Sequence, residues 1–151
     1  MLSLVVMKTH RLEPLLNPDS IAIVGASNNA ARIGGMPIAH LTKFGYQGQI
    51  YPINPKYEDV FGLRCFPDIE SLPQAPDLVV LAIAAADVLL MLQRCAAKGV
   101  RAVIVYAAGF AEEGAKGAAL QAELEAYVAT TDMVVAGPNL MGFANLNRQV
   151  H

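Results

Sequence analysis

Five short apolar runs alternate with longer segments of helical periodicity along the chain. Continuous apolar runs that end at glycine, proline or small polar residues are typical of buried strands. The predicted strands are 20–25, 49–53, 78–84, 102–106 and 133–136. The stretch 61–66 lies just before several prolines and is predicted to be a connection. The pattern therefore supplies five strands for one sheet.

Three segments between these strands carry apolar residues at spacings of three and four, which indicates amphipathic helices. The predicted helices are 34–44, 87–98 and 118–130. In the first helix Pro37 lies in the first turn, where a missing N–H costs little, and Gly45 ends the helix. In the second helix the stripe of Val88, Leu92 and Cys95 is predicted to face the sheet.

Strands that alternate with helices predict βαβ units, whose strands form a parallel sheet with helices on both faces. The expected fold class is therefore α/β, with a doubly wound, mainly parallel sheet in three α/β/α layers. In this interpretation residues 17–147 form one domain, residues 1–16 are an N-terminal lead-in and residues 148–151 are a tail.

Composition agrees with a buried sheet and narrows the classes of function. Of 151 residues 54% are hydrophobic and 16% are charged, and the net charge is −2 without a basic cluster. The apolar runs are far shorter than the roughly 20 residues that a bilayer requires. The N-terminus lacks the pattern of a secretory signal. We therefore expect a cytoplasmic protein that binds neither membranes nor nucleic acid.

Cysteine and histidine patterns indicate neither a metal site nor a catalytic centre. Cys65 and Cys95 are far apart and form no CxxC pair, so both are interpreted as inert thiols. The histidines, which are His10, His40 and His151, have no metal-ligand spacing. No GxSxG nucleophile motif is present. The prediction is a binding domain with no catalytic residue and no metal ligand.

The loop between the first strand and the first helix, residues 25–35, is the strongest candidate site. Ligands of open parallel sheets bind beyond the carboxyl ends of the strands. Small residues let a ligand approach the backbone, a helix N-terminus favours phosphate, and Arg32 adds a fork of donors. The candidate contacts are Gly25, Ser27, Ala30, Ala31, Arg32, Ile33 and Gly34. The alternative is a glycine-rich turn that serves only tight packing.

The end of the second strand selects among phosphate-bearing ligands. The dinucleotide fingerprint GxGxxG would need glycine at the position of Ser27. An NAD site would also need an acidic residue after the second strand, where this chain has Asn54 and Lys56. A lysine attracts phosphate, and coenzyme A carries a 3′-phosphate besides its pyrophosphate. Coenzyme A and NADP both fit, and Lys56 as an ordinary surface lysine is the alternative.

Further turns follow the later strands at the same edge. Their candidate contacts are Ala84, Ala85 and Ala86 after the third strand, Tyr106, Ala107, Ala108 and Gly109 after the fourth, and Asn139 after the fifth. The alanines leave room for an adenine or a pantetheine arm, although a plain helix entry explains them equally well. Glu112 and Glu113 are interpreted as favouring the next helix N-terminus rather than as an acid–base pair.

Ordered motifs across residues 16–145 resemble one known family. They are NPDSIAIVGAS at 17–27, RIGG at 32–35, FGYQGQIYPINPK at 44–56, PDL at 76–78, KGV at 98–100, AGFAE at 108–112 and GPN at 137–139. The set is similar to the coenzyme A-binding domain of NDP-forming (ADP-forming) acyl-CoA synthetases, which are relatives of the succinyl-CoA synthetase alpha subunit. The resemblance implies a Rossmann-like domain whose ligand is coenzyme A.

Such enzymes convert an acid, coenzyme A and a nucleoside triphosphate into acyl-CoA, nucleoside diphosphate and phosphate. They use a phosphohistidine domain and an ATP-grasp domain, and neither has a counterpart in this sequence. The resemblance implies contacts from Ser27, residues 30–33, Asn54, Lys56 and the turns 84–86 and 106–109. Two departures are Leu140, where the family usually has cysteine, and Ala30-Ala31 in a loop that is often richer in glycine.

Two other functions stay open at this point. A stand-alone coenzyme A-binding module with a regulatory role needs no partner domain. An NAD(P)-binding domain is disfavoured by the missing acidic residue after the second strand. The sequence names neither the acyl group nor the oligomeric state, so a homo-oligomer is left open.

Overall fold

A computed structural model describes residues 10–150 and has a five-stranded parallel sheet at its centre. The strands of this sheet are β1 (Ser20–Val24), β2 (Gln49–Ile53), β5 (Leu78–Leu81), β6 (Ala102–Val105) and β7 (Val134–Ala136). A separate antiparallel hairpin consists of β3 (Asp59–Val60) and β4 (Leu63–Arg64). The spatial order is β2-β1-β5-β6-β7. Strand order therefore reverses between β1 and β5, and this switch point is where open sheets bind ligands.

Helices cover both faces of the sheet. They are α1 (Glu13–Leu16), α2 (Met36–Lys43), α3 (Ala85–Lys98) and α4 (Ala115–Val128), with a 3₁₀ turn at Ala111–Glu113. Ile38 of α2 packs into the core on one face, and Leu92 of α3 and Leu124 of α4 pack into the core on the other. The predicted Rossmann-like α/β fold with its mainly parallel sheet is confirmed.

The central strands divide their side chains between these two cores. In β1, Ile21 and Ile23 face α2, whereas Ala22 and Val24 face α3. All residues of β1, β5 and β6 are buried, which explains why their sequences are continuously apolar. The predicted stripe of Val88, Leu92 and Cys95 on α3 is buried as well.

Residues near both ends of the described range also belong to the core facing α2. Leu15 of α1 is buried there, and so is Val150 close to the other end. The segment that follows β7 is tied to the start of the domain, because the Asn145 side-chain amide donates to the Leu16 carbonyl at 2.7 Å. Part of the predicted lead-in and part of the predicted tail therefore pack into the domain.

Three element boundaries at alanine-rich positions differ from the sequence prediction by two residues or more. β5 ends at Leu81 and α3 begins at Ala85, whereas the sequence predicted a strand to 84 and a helix from 87. Hydrophobic periodicity does not separate the end of a strand from the start of a helix when both are alanine, the strongest helix former. α4 begins at Ala115 rather than 118, so that Gly117 is a buried residue inside the helix.

The amino-terminal edge of the sheet is joined by a reciprocal hydrogen-bonded pair. The Asp77 carboxylate accepts the Ser20 N–H at 3.2 Å and the Asp19 N–H at 3.0 Å. The Asp77 N–H in turn donates to the Ser20 hydroxyl at 3.0 Å. The PDL motif at 76–78 therefore fixes β5 to β1, at the edge opposite the candidate site.

The predicted connection 61–66 contains half of the hairpin, which the sequence prediction missed because its strands have two residues each. Its turn consists of Phe61 at φ 51° and Gly62 at φ 77°. Two positive φ values are typical of a type I′ turn, for which Asn-Gly is preferred. A phenylalanine in this conformation is unfavourable by roughly 1–2 kcal/mol.

We expect Phe61→Asn to raise the free energy of unfolding by about 1 kcal/mol, because asparagine tolerates the left-handed region. Phe61→Ala is the matched control, since it removes the same ring without relieving the backbone strain. Urea unfolding of the three proteins measures the difference. Equal stability of the asparagine and alanine variants would contradict this account of the turn.

Both cysteines and His40 lie where no chemistry is evident. Both thiols are buried and unpaired, and burial raises the pKa of Cys95 to about 12 and also raises that of Cys65. His40 is exposed and lies edge-on to Phe44, and His151 lies outside the described residues. Residues 10–150 contain no cluster of three or more potential metal ligands. They also contain no helix long and apolar enough to cross a bilayer.

Candidate functional site

Every predicted site segment follows a strand of one parallel sheet, so all of them lie along its carboxyl edge. The loops after β2, β1 and β5 are neighbours there, and they open onto a cleft of about 550 Å³. This cleft brings Gly25, Asn54 and Lys56 together. It lies at the switch point, where topology alone places a ligand.

Side chains of α3 form the opposite wall of the cleft, and the sequence prediction missed them. Ile83 leads into the helix, and Met91 and Arg94 follow on it. Arg94 makes a two-pronged ion pair with Glu70. The spacing of 91 and 94 was the available signal, because residues three apart lie on the same side of a helix, here beside the buried stripe.

Loop 25–35 folds back on itself, and its glycines are required by close backbone approach. A Cβ on Gly34 would lie 1.9 Å from the Gly25 carbonyl oxygen. Gly25 has φ +85°, and a Cβ there would lie 2.3 Å from the carbonyl oxygen of Ala82. The Ser27 N–H closes the loop by donating to the Gly34 oxygen at 3.3 Å. Tight packing therefore accounts for these glycines.

The folded loop nevertheless leaves a set of backbone donors unused. Within residues 10–150 no acceptor is found for the N–H groups of Asn28, Ala30, Ile33 and Gly34. The Arg32 side chain is exposed and has no partner in the same range. Asn28, Ala30 and Ile33 are exposed, whereas Gly34 is buried. Exposed, unpaired amides in a loop that also carries an arginine suit an anion such as phosphate.

Ser27, Ala30 and Ala31 occupy different environments in this loop. Ser27 is buried, and its hydroxyl accepts the Asn29 N–H at 3.2 Å, so it shapes the loop from inside. Ala30 and Ala31 are exposed at the surface together with Ile33. The predicted contacts of residues 30–33 are therefore accessible, whereas Ser27 is only marginally so.

Asn54 and Lys56 have different roles at the end of β2. The Asn54 side chain donates to the Ala26 oxygen at 2.8 Å and accepts the Lys56 N–H at 3.0 Å. Asn54 thus links β2 to loop 25–35. The Lys56 side chain is exposed, and its ammonium has no partner within the described part of the chain. Lys56 is the available cation of the cleft.

The turns after β5 and β6 pack against each other. Ala84 and Ala86 are exposed at the start of α3. The Ala85 methyl lies 3.3 Å from where a Cβ on Gly109 would be. Asn139, which is exposed after β7, joins the same edge by donating its N–H to the Ala107 oxygen at 3.0 Å. The small side chains of the turns at 84–86 and 108–109 leave space for a ligand at this edge.

Tyr106 and Ala107 lie apart from the cleft. Tyr106 is 6% exposed and its side chain packs in the core that faces α2, where burial raises its pKa. Ala107 is buried in the opposite core. The alternation of a strand end therefore turns both side chains inward, and Ala108 and Gly109 are the accessible residues of this turn.

Comparison with known proteins identifies the family of the domain and the class of its ligand. The CoA binding domain family matches residues 19–145, which is most of the chain. The chain belongs to this family. Coenzyme A is the ligand that the match supports.

Relatives of this CoA-binding domain are large ligases. It is 36% identical over 140 residues to trans-feruloyl-CoA synthase FCS1 of an unknown prokaryotic organism, covering 93% of this chain and 20% of that protein. It is 32% identical over 135 residues to the alpha subunit of acetate–CoA ligase (ADP-forming) I of Pyrococcus furiosus, covering 87% and 29%. The domain is homologous to the alpha-subunit region of ADP-forming acyl-CoA synthetases.

A solved structure agrees with these relatives. Dinucleotide-forming acetyl-coenzyme A synthetase 1 of Candidatus Korarchaeum cryptofilum, in complex with phosphate and ADP, superposes with a TM-score of 0.85 at 34% identity. The match covers 92% of this chain and 30% of that one. The CoA-binding domain thus spans between a fifth and a third of these three synthases and ligases.

The glutamates after β6 are not arranged as an acid–base pair in this CoA-binding domain. The Glu112 carboxylate accepts the Gly109 N–H at 2.7 Å. Both glutamates lie in the 3₁₀ turn that precedes α4. Hydrogen bonds from backbone N–H groups, that of Gly109 first, hold the pKa of Glu112 below its usual range. Glu112 therefore orders the turn at the edge of the site.

We expect the Gly109 amide resonance to titrate with Glu112, at a midpoint below the usual glutamate value of about 4.3. The pKa is lowered in the folded state, so the contact is present above the unfolded pKa and is lost as the pH falls through the folded one. An NMR pH titration measures this, with Glu113→Gln as the control that leaves it unchanged. A Gly109 resonance that still titrates in Glu112→Gln would contradict the assignment.

Proposed function

We propose that this domain is the coenzyme A-binding part of an NDP-forming acyl-CoA synthetase, which joins an acid to coenzyme A at the expense of a nucleoside triphosphate. The observation that carries the proposal is that, within residues 10–150, loop 25–35 has unpaired amides and Lys56 at the same edge of the sheet has an unpaired ammonium, in a member of this family. The amides suit a pyrophosphate, and a separate cation suits a ligand with a further phosphate.

The bound ligand extends along the carboxyl edge in this proposal. Loop 25–35 and Arg32 hold the pyrophosphate, and Lys56 binds the 3′-phosphate. The apolar wall at Ile83 and Met91 lines the same cleft as Lys56 and accommodates the adenosine. The pantetheine arm passes the low turns at 84–86 and 108–109, where small residues leave room. Tyr106 and Ala107 contribute through their backbone.

The domain binds but does not complete the reaction in this proposal. A phosphohistidine domain and an ATP-grasp domain, in the same protein or in separate subunits, supply the remaining steps. The support is the size of the relatives, of which this chain covers 20% and 29% in the two ligases compared above. The proposed location is the cytoplasm, where unpaired buried thiols such as Cys65 and Cys95 are usual.

A stand-alone coenzyme A-binding module is the second candidate. A conserved hypothetical protein of Pyrococcus furiosus superposes with a TM-score of 0.61 at 25% identity. The match covers 81% of this chain and 96% of that one, so a chain of this size carries the fold by itself. Such a module would bind the ligand for regulation rather than for catalysis.

Calorimetric titration with coenzyme A, 3′-dephospho-coenzyme A and NADP tests the proposed ligand. We expect coenzyme A to bind most tightly, because it alone offers a pyrophosphate, a 3′-phosphate and a pantetheine arm. Tighter binding of NADP would contradict the proposal. Sequencing the coding region beyond His151 separates the two candidates, since a continuous phosphohistidine domain supports the ligase and a stop codon with no synthetase genes nearby supports the module.

A further inference from the structure

Asn28 is an exposed residue of loop 25–35 whose side chain bonds to a different element, the β3–β4 hairpin. Its Nδ2 donates to the Asp59 carbonyl at 3.0 Å, and its Oδ1 accepts the Phe61 N–H at 2.7 Å. A side-chain amide offers a donor and an acceptor together, and the hairpin backbone presents the complementary pair. Asn28 therefore fastens the loop to the hairpin by two hydrogen bonds.

The hairpin is itself fixed to the sheet. Val60 is fully buried, and just beyond β4 the Phe66 N–H donates to the Pro52 oxygen at 2.9 Å. The Asn54 N–H donates to the Phe66 oxygen at 2.9 Å, and the Asn54 side chain returns to loop 25–35 at Ala26. The loop is thus anchored at two residues: Ala26 is hydrogen-bonded to the end of β2, and Asn28 is hydrogen-bonded to the hairpin, which is itself hydrogen-bonded to β2.

The unpaired amides of the loop begin at Asn28 itself and continue at Ala30, Ile33 and the buried Gly34. Binding one anion by several amides is strongest when they are already aimed at the same point, because ordering a mobile loop subtracts from affinity. Asn28 is exposed, so neither core of the sheet depends on it. Its two hydrogen bonds instead restrain the conformation of the loop.

We propose that Asn28 is a positioning residue for coenzyme A, which keeps the amides of loop 25–35 aligned for the pyrophosphate before the ligand binds. The inference rests on the proposed function and adds to it a residue whose side chain acts through the loop. The β3–β4 hairpin is the support against which the loop is held.

The test compares Asn28→Ala with the unaltered chain by NMR hydrogen exchange and by calorimetry. We expect exchange of the amides at 30–34 to become several times faster in the ligand-free protein, and the coenzyme A dissociation constant to rise about tenfold. The melting temperature should stay within about 2 °C. Asn147→Ala, which removes an exposed asparagine far from the site, is the control and should change neither exchange nor affinity.

Two results would overturn the inference. Unchanged loop exchange with weaker binding would mean that Asn28 touches the ligand directly, and unchanged affinity would mean that it does not matter. Asn28→Asp is a second variant if the alanine protein does not fold, since it keeps the acceptor for the Phe61 N–H and loses the donor. Its loop exchange should be faster than in the unaltered chain, because a carboxylate oxygen would then face the Asp59 carbonyl, and exchange at the original rate would count against the inference.

Exchange in the free protein needs no ligand, so the two proposals fail in different ways. Absence of any coenzyme A binding by the unaltered chain would overturn the proposed function, even if Asn28 orders the loop. Normal coenzyme A binding by the unaltered chain and by Asn28→Ala would overturn only the positioning role.

Discussion

Gly34→Ala is expected to weaken coenzyme A binding at least about a hundredfold, which corresponds to about 2.7 kcal/mol of binding free energy. The added Cβ would lie 1.9 Å from the Gly25 oxygen, and the neighbour is backbone that has no rotamer to escape into. The loop must therefore shift, and its unpaired amides leave the positions in which we propose that they hold one phosphate. Calorimetry with coenzyme A measures the loss.

The same variant should lower the free energy of unfolding by about 1–3 kcal/mol, the usual range for overpacking. Gly99→Ala is the matched control, because Gly99 has φ +94° at the far end of α3 and its nearest neighbour is 3.8 Å away. That control should lose about 1 kcal/mol of stability and keep its affinity. Normal affinity in Gly34→Ala would remove loop 25–35 from the site.

Lys56→Ala is expected to weaken coenzyme A by about 1.5–3 kcal/mol, the range for a hydrogen bond to a charged group. Binding of 3′-dephospho-coenzyme A should change much less, because that ligand lacks the group that Lys56 meets. The Lys56 ammonium has no protein partner within residues 10–150, so its removal leaves no buried charge behind. Paired titrations of the two ligands measure the difference.

Two further variants serve as comparisons for Lys56→Ala. Arg32→Ala should weaken the binding of both ligands alike, because both carry the pyrophosphate. Lys116→Ala, on the exposed part of α4, should weaken the binding of neither. Equal losses of the two ligands in Lys56→Ala would place the 3′-phosphate elsewhere. The contribution of Lys56 to the binding free energy should depend only modestly on salt concentration, since one ion pair is involved.

The sheet was predictable from the sequence because its strands are buried on both faces. Continuous apolar runs such as 78–81 and 102–105 have few other interpretations between helical segments. The spatial order of the strands was not predictable in the same way, since alternation with helices requires only that neighbouring strands be parallel. The position of the candidate site was predictable from topology, because all parallel strands end at one edge.

Other parts of the site depend on contacts between residues distant in sequence. The bonds from Asn28 to Asp59 and Phe61 join positions more than 30 apart, and no periodicity marks such a pair. The hairpin was missed because two-residue strands carry no pattern. Tyr106 was placed at the site by its position after a strand, although its side chain turns into a core. Sequence order fixes the edge at which a residue lies, whereas packing decides where its side chain points.

The glycines of loop 25–35 show how one feature had two explanations at the level of sequence. Tight packing and phosphate binding were both open there, and the structure supports the first for Gly25 and Gly34 through their close contacts. The same contacts fold the loop so that other amides are left without acceptors. Packing and binding are therefore two consequences of one conformation.

The central claim is that coenzyme A binds at the carboxyl edge of the sheet. Titration of the ¹⁵N-labelled protein with coenzyme A, followed by amide chemical shifts, tests it most directly. The account predicts the largest shifts at 25–35, 54–56 and 82–87, with the amides at 30 and 33 among them. Shifts confined to the amino-terminal edge around Asp77, or no shifts at millimolar coenzyme A, would contradict it.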